Sequence, residues 1–317
     1  MKKILFATTA LIATASVAAA DVNFSGYGRF GLKYDGNATG DEKETFLTSR
    51  FRLNIDGDAE TDGGVAFSAR VRMQADANQD GTAGTAQLSG ARFTTQYEGF
   101  RVDVGNISGV IDNLPNWAGY EPGLTFFLSQ NSASNFADDS FSSTGAGVNG
   151  VFAQYAVNDF AVSASYSPSE TGAGEQWGVS GQYAGDTFSV ALAYASNEPD
   201  NPGAGDLGDS DIIALTAAAT FGAFTGNLVV GTEDADNDTD DEFDTFWGLS
   251  ASYELGTATD LVFAYGDGAG DGDVQVFGIG FIQDLGGGVS LKGGIGSVKE
   301  RPNSAEAVAD LGVNFAF

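Results

Sequence analysis

From about residue 21 to the last residue, apolar side chains recur at every second position, and no long stretch shows a 3.6-residue period. "VNFSGYGRFGLKY" sets Val22, Phe24, Phe30, Leu32 and Tyr34 against Asn23, Ser25, Tyr27, Arg29 and Lys33. "FLTSRFRLNID" sets Leu47, Phe51, Leu53 and Ile55 against Thr48, Arg50, Arg52, Asn54 and Asp56. The closing "ADLGVNFAF" alternates down to Phe317. Successive side chains of a strand point to opposite faces, so each segment predicts a strand with one oily and one wet face. About sixteen such segments follow one another, each near the ~9–11 residues that a tilted membrane strand needs.

The connections sort by length. "NDF" (158–160), "AGDTF" (184–188), "FGAF" (221–224) and "DLGGG" (284–288) are short turns, whereas "SNEPDNPGAGDLGDSD" and "GTEDADNDTDDEFD" are long and acidic. Tyr34, Tyr97, Tyr166, Tyr183, Tyr194, Tyr253 and Tyr265 stand near strand ends, where interfacial girdles belong. This predicts an all-β transmembrane antiparallel barrel of about sixteen strands. A secreted soluble β-sandwich would share the alternation but need not sort its loops. In hydrocarbon an unpaired strand edge is prohibitive, so the last strand is expected to pair with the first.

The first residues, "MKKILFATTALIATASVAAA", have two lysines, an apolar run from Ile4 to about Val17, and Ala18-Ala19-Ala20. They predict a cleaved export signal over 1–20, with a single barrel domain over 21–317. Without Lys2 and Lys3 the formal charge falls from −29 to −31, which speaks against a nucleic-acid partner. The chain has no cysteine and no histidine. The usual zinc sites and the Ser-His-Asp and Cys-His arrangements are therefore excluded; only carboxylate, Lys or Tyr chemistry remains for a barrel hydrolase. Three G-x-G-x-x-G matches ("GYGRFG", "GAGVNG", "GAGDLG") lack a βαβ context and reflect the abundance of glycine, of which there are 45.

Arg29, Arg50, Arg52, Arg70, Arg72 and Arg92 all fall on the phase opposite the oily one. The spacing predicts five consecutive strands projecting a basic stripe toward the lumen, because a lipid-facing arginine near mid-bilayer costs about 2–4 kcal/mol. The alternation then breaks for about forty residues, over roughly 106–146. Leu114, Trp117, Tyr120, Leu124, Phe126, Phe127 and Phe136 make this stretch too apolar for a disordered loop, so it is expected to lie against the inner wall.

With these features the chain resembles the alphaproteobacterial general diffusion porins. The most specific pieces are "DVNFSGYGRFGL", "VGNISG" and "DLGGGVSLKGGIGSVKERPNSAEAVADLGVNFAF". The resemblance implies an outer-membrane homotrimer of sixteen-stranded barrels, each with its third long loop folded into the pore and acidic loop residues set across from wall arginines. The matching positions are Asp112, Glu121, Asp138 and Asp139. It implies passive diffusion of small hydrophilic solutes and ions without a cofactor, with a solute-selective outer-membrane channel as the alternative. It further implies an interface built from the strands flanking the closure, where Gly26 and Gly28 leave room for a neighbour. The second long loop, Asp76 to Gly84, is expected to reach into that neighbour. Lipopolysaccharide would adjoin the outer band, and Phe317 is similar to the terminal signal read by the outer-membrane assembly machinery. Asp234, Asp236, Asp238 and Asp240 alternate in "EDADNDTDDEFD" and invite Ca²⁺. They are not an EF-hand, since Thr239 and Thr245 stand at its sixth and twelfth positions. A solvated acidic loop is the bland alternative; such porins do bind calcium among their loops.

Overall fold

A computed structural model describes residues 21–168, 174–198, 209–235, 244–268, 274–300 and 303–317. All its regular elements are strands: β1 (Asp21–Asp35), β2 (Thr45–Glu60), β3 (Ala66–Asp76), β4 (Gln87–Leu88), β5 (Arg92–Tyr97), β6 (Phe100–Asn106), β7 (Asn149–Val157), β8 (Phe160–Ser167), β9 (Glu175–Ala184), β10 (Phe188–Glu198), β11 (Ser210–Phe221), β12 (Phe224–Ala235), β13 (Asp244–Glu254), β14 (Thr259–Gly268), β15 (Val274–Gly286), β16 (Val289–Glu300) and β17 (Glu306–Ala316). Strands adjacent in sequence pair antiparallel, save that β5 pairs with β3 past the short β4, and β17 pairs back onto β1, with Arg29 opposite Asn314 and Lys33 opposite Asp310. The result is a closed sixteen-stranded barrel plus the two-residue β4, which pairs with Met73 and Gln74 of β3. Closure leaves no strand edge unpaired, as a lipid environment demands.

The two faces separate residue by residue. In β2, Leu47 is 74% exposed and its neighbour Thr48 only 9%, because one points outward and the other meets the interior. Seven turns lie at the end of the barrel where β1 begins and β17 ends. One of the two-residue turns, Glu98-Gly99, takes positive φ at both residues (44° and 86°), which matches the right-handed twist of the flanking strands. Aromatic contacts mark both rims. Phe100–Tyr155 (4.4 Å) and Phe160–Tyr183 (5.1 Å) sit at the turn end; Trp177–Tyr194 (5.2 Å) and Trp247–Tyr265 (5.0 Å) sit toward the other.

Two expectations are corrected. The six arginines come from four strands, β1, β2, β3 and β5, not five; β6 adds Arg101, on the same inward phase. The space beside Gly26 and Gly28 is not left for a neighbour. A Cβ at Gly28 would lie 2.4 Å from the Phe315 ring, and one at Gly26 2.1 Å from the Arg52 carbonyl oxygen and 3.1 Å from Phe317, so the barrel's own atoms fill it. The export signal expected over 1–20 lies outside the described residues, as do Asp236, Asp238 and Asp240. Asp234 is described, as an exposed residue of β12.

Candidate functional site

The inner wall has two unlike halves. Arg29, Arg50, Arg52, Arg70, Arg72 and Arg92 form a continuous patch because the ladder stacks them: Arg29 is opposite Arg50, and Arg70 opposite Arg92. Stacked like charges repel, and acidic groups on the same wall offset this. Asp56 holds Arg70 through both oxygens, at 2.6 and 3.1 Å. Asp76 accepts from Arg50, and Asp103 from Arg101. Arg52 donates to Gln74 at 2.6 Å and Arg72 to Asn54 at 2.9 Å. Sequence reasoning had set loop carboxylates against this stripe. Among the described residues no wall arginine forms an ion pair with one; the direct loop contacts are neutral groups. Arg29 donates to the Leu124 carbonyl (3.1 Å), Arg72 donates to Ser143 (2.9 Å), and Arg72 and Arg92 both lie over the Phe141 ring (4.7 and 5.2 Å).

The other half of the wall, β10 to β17, is built of alanine and glycine, and the segment 107–148 lies on it. Ala191, Ala193, Ala195 and Ala214 are buried against Ile107, Val110, Ile111, Leu114, Trp117 and Phe136, with Phe152, Ile212 and Phe246 completing the cluster. A Cβ at Gly248 would come 1.9 Å from the Gln130 carbonyl oxygen, and one at Gly312 2.5 Å from Leu124. Wall polar groups tether the segment. Asp310 accepts the Leu124 and Thr125 N–H groups and the Thr125 hydroxyl, each at 2.7 Å. Glu233 accepts from the Ser134 hydroxyl and from the Asn135 N–H at 2.9 Å. Gln176 accepts the Asp139 N–H (2.9 Å) and donates to the Ala137 carbonyl (2.7 Å), while Ser250 accepts the Tyr120 N–H at 2.8 Å. A segment that meets β3 on one side of the ring and β12 on the other through inward-facing residues runs within it.

The four acidic positions divide. Glu121 lies nearest the cations: burial raises its carboxyl to about 6, although Arg29 and Lys292 pull it down. Asp138 and Asp139 sit at the far wall, beside β8 and β9. Burial, then the neighbouring Asp112, pushes Asp138 up to about 6; burial also raises Asp139, which accepts from Ser167. Asp112 itself is exposed. Sequence reasoning missed Lys292, Asp310 and Glu233. Asp310 was legible as a charge on the small-residue phase of the last strand; Lys292, between Leu291 and Gly293, carried no comparable signal. No cluster of three metal-binding side chains occurs among the described residues.

A closed, oily-walled barrel with a charged inner face and an internal segment is the build of a membrane channel. More specifically, the chain belongs to the Gram-negative porins, whose family model matches residues 7–303. It is similar to the porin of Fuscovulum blasticum, 30% identical over 307 residues, covering 94% of this chain and all of that one. A triple mutant of Rhodopseudomonas blastica porin superimposes with a TM-score of 0.75 at 28% identity, over 94% of this chain and 100% of the other. A further mutant of that porin reaches 0.76 at 28% identity with the same coverage. The protein is thus an outer-membrane channel for passive diffusion, and neither its family nor its fold is that of an enzyme.

Proposed function

We propose that the passage narrows between the 107–148 segment and the arginine wall, and that small hydrophilic solutes and ions of many kinds cross there. One observation carries this reading: the inner face is covered on one half and open on the other. Ala214 and Ala264 beneath the segment are 0% exposed, whereas the side chains of Arg50 and Arg70 keep 23% and 33% of their surface. Charged groups keep such exposure where water reaches them. Arginines on one wall, with Glu121 on the segment and Asp138 and Asp139 farther round, set a field across the opening that orders water and aligns dipolar solutes. The acidic balance of the chain enriches cations at its mouth.

The assembly belongs to the same proposal. Three copies associate through the face around β1 and β17, with the Asp76–Gly84 loop reaching a neighbour, lipopolysaccharide against the outer band, and Phe317 read during assembly. Weak Ca²⁺ binding by the acidic loop from Asp234 to Asp240 is the remaining part. Planar-bilayer conductance with a ladder of uncharged solutes tests the main reading. Permeation that falls smoothly with solute size supports a general channel; sharp discrimination between solutes of equal size would replace it with the solute-selective alternative.

A further inference from the structure

The loop residue Phe126 breaks the pattern of its neighbours. Leu124 and Leu128 are buried to 1% and 3% against the glycine wall, yet Phe126 turns back into the lumen and stays 40% exposed. It does so with φ of +56°, a backbone region that the Cβ atom disfavours. Nothing in the packing requires this; an aromatic ring in water is normally hidden. The ring is flanked by two cations, Lys292 Nζ at 4.9 Å and Arg29 Cζ at 5.9 Å from its centroid. Among the described residues neither cation is ion-paired with a carboxylate. Beside Phe126 opens a depression lined by Arg29, Lys33, Phe46, Arg50 and Phe127. The acids at its rim, Glu42, Asp76 and Asp80, are engaged: Asp76 accepts from Arg50 and Gln74, Glu42 from the Thr39 N–H, and Asp80 from Thr82, while Lys33 pairs with Asp35 at 3.2 Å. Arg29 and Lys292 thus flank an exposed aromatic ring without a carboxylate in contact, although Glu121 lies near both.

We infer that Phe126 is a specificity-determining residue, and that the space it shares with Arg29 and Lys292 is a transit subsite for small aromatic carboxylates. The ring of the solute stacks on Phe126 or Phe46, and its carboxylate lies toward the cations. No bond is made or broken; the subsite retains such solutes briefly on their way through. The inference rests on the channel reading and adds a solute class to it.

Block of potassium chloride current by benzoate and by acetate, added at pH 7.5 to the full chain reconstituted in a planar bilayer, tests it. Benzoate is expected to half-block at a concentration roughly three- to tenfold below that of acetate, the range an aromatic contact supplies. Phe126→Gly, which also relieves the positive φ, should bring the two anions within about twofold, and Phe126→Trp should keep them apart. Lys292→Gln should weaken block by both. Equal block by the two anions in the parent protein, or discrimination that survives Phe126→Gly, would overturn the subsite. Chloride conductance measured in the same membranes separates this from failure of the channel reading, which would show as no conductance at all.

Discussion

The Asp310 carboxylate accepts the Leu124 N–H at 2.7 Å across 186 residues of sequence, while Arg29 donates to the carbonyl of the same Leu124. The closing strand and the opening strand thus grip one residue of the internal segment from both sides. Asp310→Ala leaves three donors unsatisfied at a site only 6% exposed, so a loss of about 3 kcal/mol or more is expected. Denaturant unfolding should show the loss, and open-channel current noise should rise as the segment loosens. Asp310→Asn keeps one acceptor oxygen and should fall between the two.

The glycines of the wall make a sharper contrast. At Gly248 a Cβ would collide with the Gln130 carbonyl at 1.9 Å, whereas at Gly181 and Gly57 nothing lies within 4 Å. Gly248→Ala should displace the segment and change single-channel conductance; Gly181→Ala should leave conductance unchanged. Equal behaviour of the two variants would mean that the segment does not rest on β13 in the membrane.

Glu121 and Asp138 both have carboxyls raised to about 6 by burial. Their charged forms are disfavoured in the folded state. The stability they contribute is fully present below the unfolded carboxylate range near 4 and is lost as pH rises through about 6. In the lumen the same ionisation adds negative charge between pH 5 and 7. Cation preference, read as the reversal potential in a salt gradient, should therefore rise over that interval. Glu121→Gln combined with Asp138→Asn should flatten the rise.

The pattern of outward side chains could be read from single segments because a strand's face depends only on its own alternation. That is why the oily phase, the inward arginines and the closure were all legible. The partners of the arginines were not. Whether Arg70 meets Asp56 or Arg50 meets Asp76 depends on the stagger between strands, which no single strand encodes. Nor did the sequence say why β10 to β17 are so rich in alanine and glycine. One reason is the segment lying on them: at Gly248 all three nearest atoms that a Cβ would meet belong to Gln130. The expectation of loop carboxylates opposite the stripe came from the family resemblance, which matches residue types and not their placement. In the structure Asp139 turns away to β8 and β9, where Ser167 and Gln176 hold it, and Asp138 goes with it.

In the proposed channel the arginine wall lines the narrow part of the passage. Arg50→Ala with Arg70→Ala removes two positive charges there and releases Asp76 and Asp56 from their partners. The reversal potential of the double variant under a potassium chloride gradient is the most direct measurement. The account predicts a shift toward cations, together with a larger single-channel conductance. A variant with the parent's reversal potential and conductance would contradict it.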